Sequence, residues 1–169
     1  MVKKNPVTLS HYHLDLQSPP TYHESSGGKE FAFAVEGKPI TKERPRFVNN
    51  HFFDPNKKAK QSLQLCIKKA LRAAGVVEKP IFSPCKKHVS MVVEFQLVAT
   101  GSRSADIDNL AKFVMDACNG LVYRDDIQVF DLKAVKIPRV KKTDPGRTNV
   151  RITSLESMRT TRDASKSNK

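Results

Sequence analysis

Cysteine is scarce in this chain of 169 residues, and its three copies, Cys66, Cys85 and Cys118, stand far apart. No C-x-x-C pair suggests a zinc site, and an odd number of isolated thiols builds no disulfide framework. Buried or incidental thiols in a reducing cytosol fit best. Long apolar runs are missing as well, so no segment reads as a membrane span. Lys3 and Lys4 lead into polar sequence rather than an apolar core, and no signal peptide is expected. Acidic residues are in short supply: seventeen Asp and Glu stand against thirty Lys and Arg, a net charge of +13. The resulting pI near 9.8 favours a polyanionic partner, most commonly nucleic acid, over a merely solvated basic surface. A soluble, cytoplasmic, single-domain protein is expected.

Residues 1–29 mix His, Ser, Pro and Gly without a clear period, which predicts a flexible N-terminal arm with scattered surface histidines at His11, His13 and His23. The ordered domain is expected over residues 30–155, beginning with a strand at Phe31–Val35. The segment Thr41-Lys42-Glu43-Arg44-Pro45-Arg46-Phe47 should be extended, because Pro45 disfavours the helical region for Arg44. Arg44 and Arg46 then share a side, as phosphate ligands or as part of an ordinary charged loop. Asp54 as N-cap and Pro55 at the first helical position predict a helix. Its buried stripe runs from Ala59 through Leu63, Ile67 and Leu71, and Gly75 ends it. The opposite face carries Lys57, Lys58, Lys60, Lys68, Lys69 and Arg72. Alternation from Val89 to Val98 marks a clear strand. Ile127–Ile137, apolar on parts of both faces, reads as a central strand, and Thr148–Thr153 as a half-exposed one closing a hairpin. From residue 156 the composition predicts a disordered basic tail.

Against that basic background stands Ala105–Ile127, ADIDNLAKFVMDACNGLVYRDDI. Asp106 and Asp108 precede an amphipathic helix whose buried stripe is Leu110, Phe113, Val114, Ala117 and Leu121. Side chains two apart share a face only in extended chain, so the pair can meet at one cation if the helix starts near Asp108 or Asn109. Asp125 and Asp126 lie in the turn beyond it. Carboxylates repel DNA unless a cation neutralises them, and hard oxygen ligands suit Mg²⁺. The plainer reading makes Asp108 a cap, Asp125 and Asp126 turn formers, and Asp108, Lys112 and Asp116 a stripe of surface ion pairs.

The run D-x-D-N-L-x-K over Asp106–Lys112, with Asp116-Ala117, Gly120, Asp125-Asp126, Gln128-Val129 and Lys136, resembles the RusA family of Holliday junction resolvases. Gly37-Lys38-Pro39 and Lys42–Arg46 resemble that family's N-terminal region, and the likeness spans about residues 31–153. It implies an α/β fold, a small mixed β-sheet packed with two main helices. It further implies a homodimer that binds four-way DNA junctions and nicks them in symmetric pairs with Mg²⁺, without an organic cofactor. Catalytic roles carry over to Asp106, Asp108, Asp126 and Lys112; the metal set is those three acids with Asp125 as a fourth. Lys42, Arg44, Arg46, Arg103, Lys68 and Lys69 are candidate DNA contacts, Arg103 because Ser104-Ala105 stand where family members commonly have a basic residue or proline. Rivals are a nuclease for flaps or forks and a non-catalytic DNA-binding protein.

Overall fold

Alternating apolar side chains build one sheet in this computed structural model, which describes residues 11–48, 51–83, 88–97, 105–138 and 145–155. Its strands are β1 (His13–Leu14), β2 (Thr21–Ser25), β3 (Gly28–Glu36), β6 (Val89–Gln96), β7 (Val129–Ile137) and β8 (Arg147–Ser154). They lie in the order β1-β3-β8-β6-β7, with β2 also paired to β3. Only β6 and β7 run parallel. A parallel pair needs a crossover, and here it contains helix α2 (Ile107–Cys118). Helix α1 (Lys57–Ala73) packs beside α2 and against β1 and β3. Phe31, Phe33 and Val35 of β3, Met91, Val93 and Phe95 of β6, and Val150 and Ile152 of β8 form the inner face of the sheet. They bury themselves against Leu63, Ile67 and Leu71 of α1 and Leu110, Phe113 and Val114 of α2. The mixed α/β architecture with two main helices is therefore as the resemblance implies. A separate two-stranded ribbon joins β4 (Arg46–Val48) to β5 (His51–Phe53).

Residues 11–29 are not the loose arm that their composition suggested. Tyr12 is 3% exposed; its N–H donates to Ser62 Oγ at 3.0 Å and its carbonyl accepts from Cys66 Sγ at 3.4 Å. Its ring stacks on Phe113 at 6.2 Å between centroids. One residue thus bridges both helices, its backbone on α1 and its ring on α2, and β1 and β2 complete the edge of β3. Asp15, buried, pairs with Arg147 of β8 at 2.7 Å. Gly37 sits at φ +137, where an added Cβ would run into the His11 carbonyl, so the close approach of this segment requires glycine.

Two strand assignments also change. β7 is an edge strand, not a central one, and β8 forms no hairpin with it, because β6 lies between them. β8 is the central strand, flanked by β3 and β6. At the start of α1 the cap moves by two residues. Asp54 closes a turn, its Oδ1 accepting from Asn56 N–H at 2.9 Å, and Asn56 takes the N-cap position. The C-terminus is as the sequence suggests. Gly75 at φ +75 donates to the Arg72 carbonyl at 3.1 Å, and Val76 N–H reaches Leu71 O at 2.9 Å, the paired bonds of a Schellman end.

Candidate active site

Helix α2 begins at Ile107, slightly earlier than expected. Asp106 is its N-cap residue, still extended at φ −68 and ψ 135, and Asp108 lies in the first turn. Aspartate is a favoured cap, yet the Asp106 side chain caps nothing. Both carboxylates are exposed and pair with no other described residue. They are close to the positive end of the helix dipole, which favours negative charge there by about 0.3–1 kcal/mol.

One turn further along the same face is Lys112, and one turn beyond it Asp116. Lys112 forms an ion pair with Asp126 and approaches Asp116 Oδ1 at 3.6 Å. The hydrogen bond to Asp126 holds the Lys112 ammonium above the ordinary lysine range, with the charges of Asp126 and Asp116 adding to it and partial burial opposing it. Asp116 is not the surface residue of the ion-pair stripe. It is 7% exposed and also pairs with Lys42, which arrives from the segment before β4. Lys42 N–H donates to the Asn109 carbonyl at 2.9 Å, so that segment is fixed to α2 at two points. Asn56 fixes it to α1, accepting from Glu43 N–H at 2.6 Å and donating to Thr41 O at 3.1 Å. An extended segment gives no local sign of where it docks, which is why sequence reading missed this role for Asp116. Asp116→Asn removes the anion between two lysines that both retain access to water. The expected cost is about 1–3 kcal/mol, read as a lower denaturation midpoint in urea.

Asp126 is presented by a rigid turn. The one-turn 3-10 helix Asp126–Gln128 is capped by Asp125, whose Oδ1 accepts from Ile127 N–H at 3.0 Å. Gln128, fully buried, completes a capping box: its Oε1 accepts from Asp125 N–H at 3.4 Å and also from Arg124 N–H at 2.8 Å, and its Nε2 donates to Phe82 O at 2.9 Å. Tyr123, also fully buried, donates its hydroxyl to Met115 O at 3.0 Å, tying the turn to α2. Burial moves its phenol far above the usual range and pushes the neighbouring Cys118 thiol up to about 12. The spacing D-x-x-Q from Asp125 to Gln128 is a capping-box signature and was legible in the sequence. Asp125→Ala is expected to cost about 0.5–2 kcal/mol of stability and to lower any DNA-cleaving activity far less than the loss of the Asp126 carboxylate does. Thermal denaturation and a nicking assay on the same preparation check both halves.

Among the other candidates, Arg44, Arg46, Lys68 and Lys69 are exposed. Arg46 pairs with Glu43 at 3.2 Å, Lys42 is engaged by Asp116, and Arg103 lies outside the described residues, as does the tail from 156.

A mixed sheet with two helices on one face, a strongly basic chain and exposed carboxylates at one helix end describe a small α/β protein. Comparison with known families makes this specific. The family model Endodeoxyribonuclease RusA matches residues 36–153, more than half of the chain, and the protein belongs to that family. It is also similar to Uncharacterized protein YqaN of Bacillus subtilis (strain 168). The two are 33% identical over 130 residues, which cover 64% of this chain and 91% of the relative.

Nucleases of this family are generally metal-dependent. Among the described residues, no three His, Cys, Asp or Glu side chains gather as a ready-made metal cluster. The donor chemistry nevertheless fits a hard cation. Asp106 and Asp108 offer carboxylates that no other described residue engages, and Asp126 is held by an ammonium that stands on the same helix face.

Proposed function

We propose that this protein is a Mg²⁺-dependent, structure-specific endodeoxyribonuclease that resolves four-way DNA junctions by paired symmetric nicks. The observation that carries this reading is the abstaining cap. Asp106 occupies a position where aspartate normally binds the helix end, yet its carboxylate makes no cap bond and pairs with no other described residue, two positions from Asp108. In this reading Asp106, Asp108 and Asp126 hold the cation, and Asp125 serves its turn. When bound, Mg²⁺ would lower the pKa of water for attack on phosphorus and offset charge on the leaving oxygen. Lys112 keeps Asp126 aimed, and places a positive charge beside the scissile phosphate. The turn built on Asp125, Gln128 and Tyr123 fixes where Asp126 stands. Arg44, Arg46, Lys68 and Lys69 supply sequence-independent phosphate contacts, which position the DNA but do not select its shape. Selection of a junction would come from a two-fold homodimer that offers two equivalent sites to opposed strands.

The family match supports DNA as the substrate. No helix among the described residues is long and apolar enough to cross a membrane; the proposed place of action is the cytoplasm, where the DNA is. The test is a substrate panel: end-labelled four-way junction, flap and linear duplex, each with Mg²⁺. Symmetric nicks in the junction alone are expected. Equal cutting of flaps would make the protein a nuclease for branched DNA generally, and binding without cutting would make it a DNA-binding protein.

A further inference from the structure

The β4–β5 ribbon exposes aromatic surface that the fold itself does not use. Its register sets Phe47 opposite Phe52, and Arg46 opposite Phe53. Phe47 is 71% exposed and Phe52 76%. Directly opposed residues on two strands stand about 5 Å apart at Cβ, so the two rings rise from the same face of the ribbon. A short isolated ribbon is barely stable in water and gains nothing from burying these rings. An exposed aromatic pair of this kind marks a contact surface.

The surroundings say what kind of contact. Arg44 and Arg46 lead into the ribbon, and Lys57 and Lys58 open α1 just after it, all exposed. Of the two acids at the ends of the ribbon, Glu43 pairs with Arg46 and Asp54 accepts from Asn56 N–H. A second copy docking through the same face would set these cations against their own images. A polyanion that also carries flat apolar rings satisfies both the aromatic face and its cationic rim. Nucleic-acid bases out of their stack have that chemistry, and stacking on an aromatic side chain is indifferent to base identity.

The root of the ribbon links it to the acidic helix. Lys42 binds α2 through Asn109 and Asp116, and Asn56 clamps Thr41 and Glu43. Both roots of the ribbon are therefore anchored to the helices, one of which begins at Asp106 and Asp108.

We propose that Phe47 and Phe52 form a stacking platform for bases unstacked at the branch point of the DNA, with Arg44 and Arg46 on the flanking phosphates. The inference rests on the nuclease reading for the identity of the polyanion, but not on cleavage. The test uses full-length protein in EDTA with four-way junctions that carry 2-aminopurine at the branch point, and linear duplex as the reference. Wild type should change the 2-aminopurine fluorescence. The double variant Phe47→Ala/Phe52→Ala should lose that change and on the order of ten-fold in junction affinity, with duplex affinity and thermal midpoint nearly unchanged. Phe47→Tyr/Phe52→Tyr should retain both. Unchanged junction affinity in the alanine variant, or equal loss on junction and duplex, would overturn the platform. So would a fall in sedimentation mass of the DNA-free alanine variant, which would make this face a contact between copies. A wild-type protein that cuts no DNA yet shows the ring-dependent fluorescence change would sink the nuclease reading and leave the platform standing. Normal cleavage with no ring dependence would do the reverse.

Discussion

Asp126→Asn is expected to slow Mg²⁺-supported junction cleavage by at least about a hundred-fold while junction binding stays near wild type. The substitution is isosteric, and an amide oxygen can still accept from Lys112, so the turn at 125–128 has no reason to move. What is lost is one negative charge and one hard donor at the point that the turn exists to present. Asp125, its neighbour in sequence, serves as the internal control, because its carboxylate already accepts from Ile127. Two adjacent aspartates should thus separate cleanly, one costing stability and the other activity. Single-turnover nicking, with binding followed by anisotropy in EDTA, reads the difference. A cleavage-competent Asp126→Asn variant would remove this residue from the chemistry.

Lys112→Met should lower the single-turnover rate by about ten- to a hundred-fold with little change in thermal midpoint. Half of the Lys112 side chain is exposed, and pairs at such positions contribute about 0–1 kcal/mol. Methionine preserves the unbranched stem along α2, so packing survives the change. Asp126 loses its cation and its aim, while Asp116 keeps Lys42. Lys112→Arg should restore only part of the rate, since a planar guanidinium cannot replace a compact ammonium against one carboxylate oxygen. A loss of rate matched by an equal loss of stability would instead make Lys112 a structural residue.

The parts of this protein that depend on near neighbours were legible in its sequence. Helical spacing located the buried faces of α1 and α2, alternation located β6, and the order of acids around α2 singled out the candidate site. The Schellman end at Gly75 followed from a single residue. What failed was long-range pairing. Nothing local to Ile127–Ile137 says that β6 separates it from β8, and its apolar residues on two faces suggested a central strand. Tyr12 and Leu14 do alternate, but two residues of strand among His, Ser and Pro give too short a period to read. Asp116 looked like one charge in a stripe, because its burial depends on Lys42, seventy-four positions away. Phe47 and Phe52 drew no attention either, since a sequence does not say which aromatics stay in water.

The most direct measurement is the nicking of an end-labelled four-way junction under single turnover as Mg²⁺ is titrated from zero, with EDTA added at the end. Paired symmetric nicks should rise with Mg²⁺, stop on chelation, and be lost in Asp106→Asn and Asp126→Asn proteins that still bind the junction. Nicking that persists in EDTA, or survives both substitutions, would contradict a carboxylate-held cation at the end of α2.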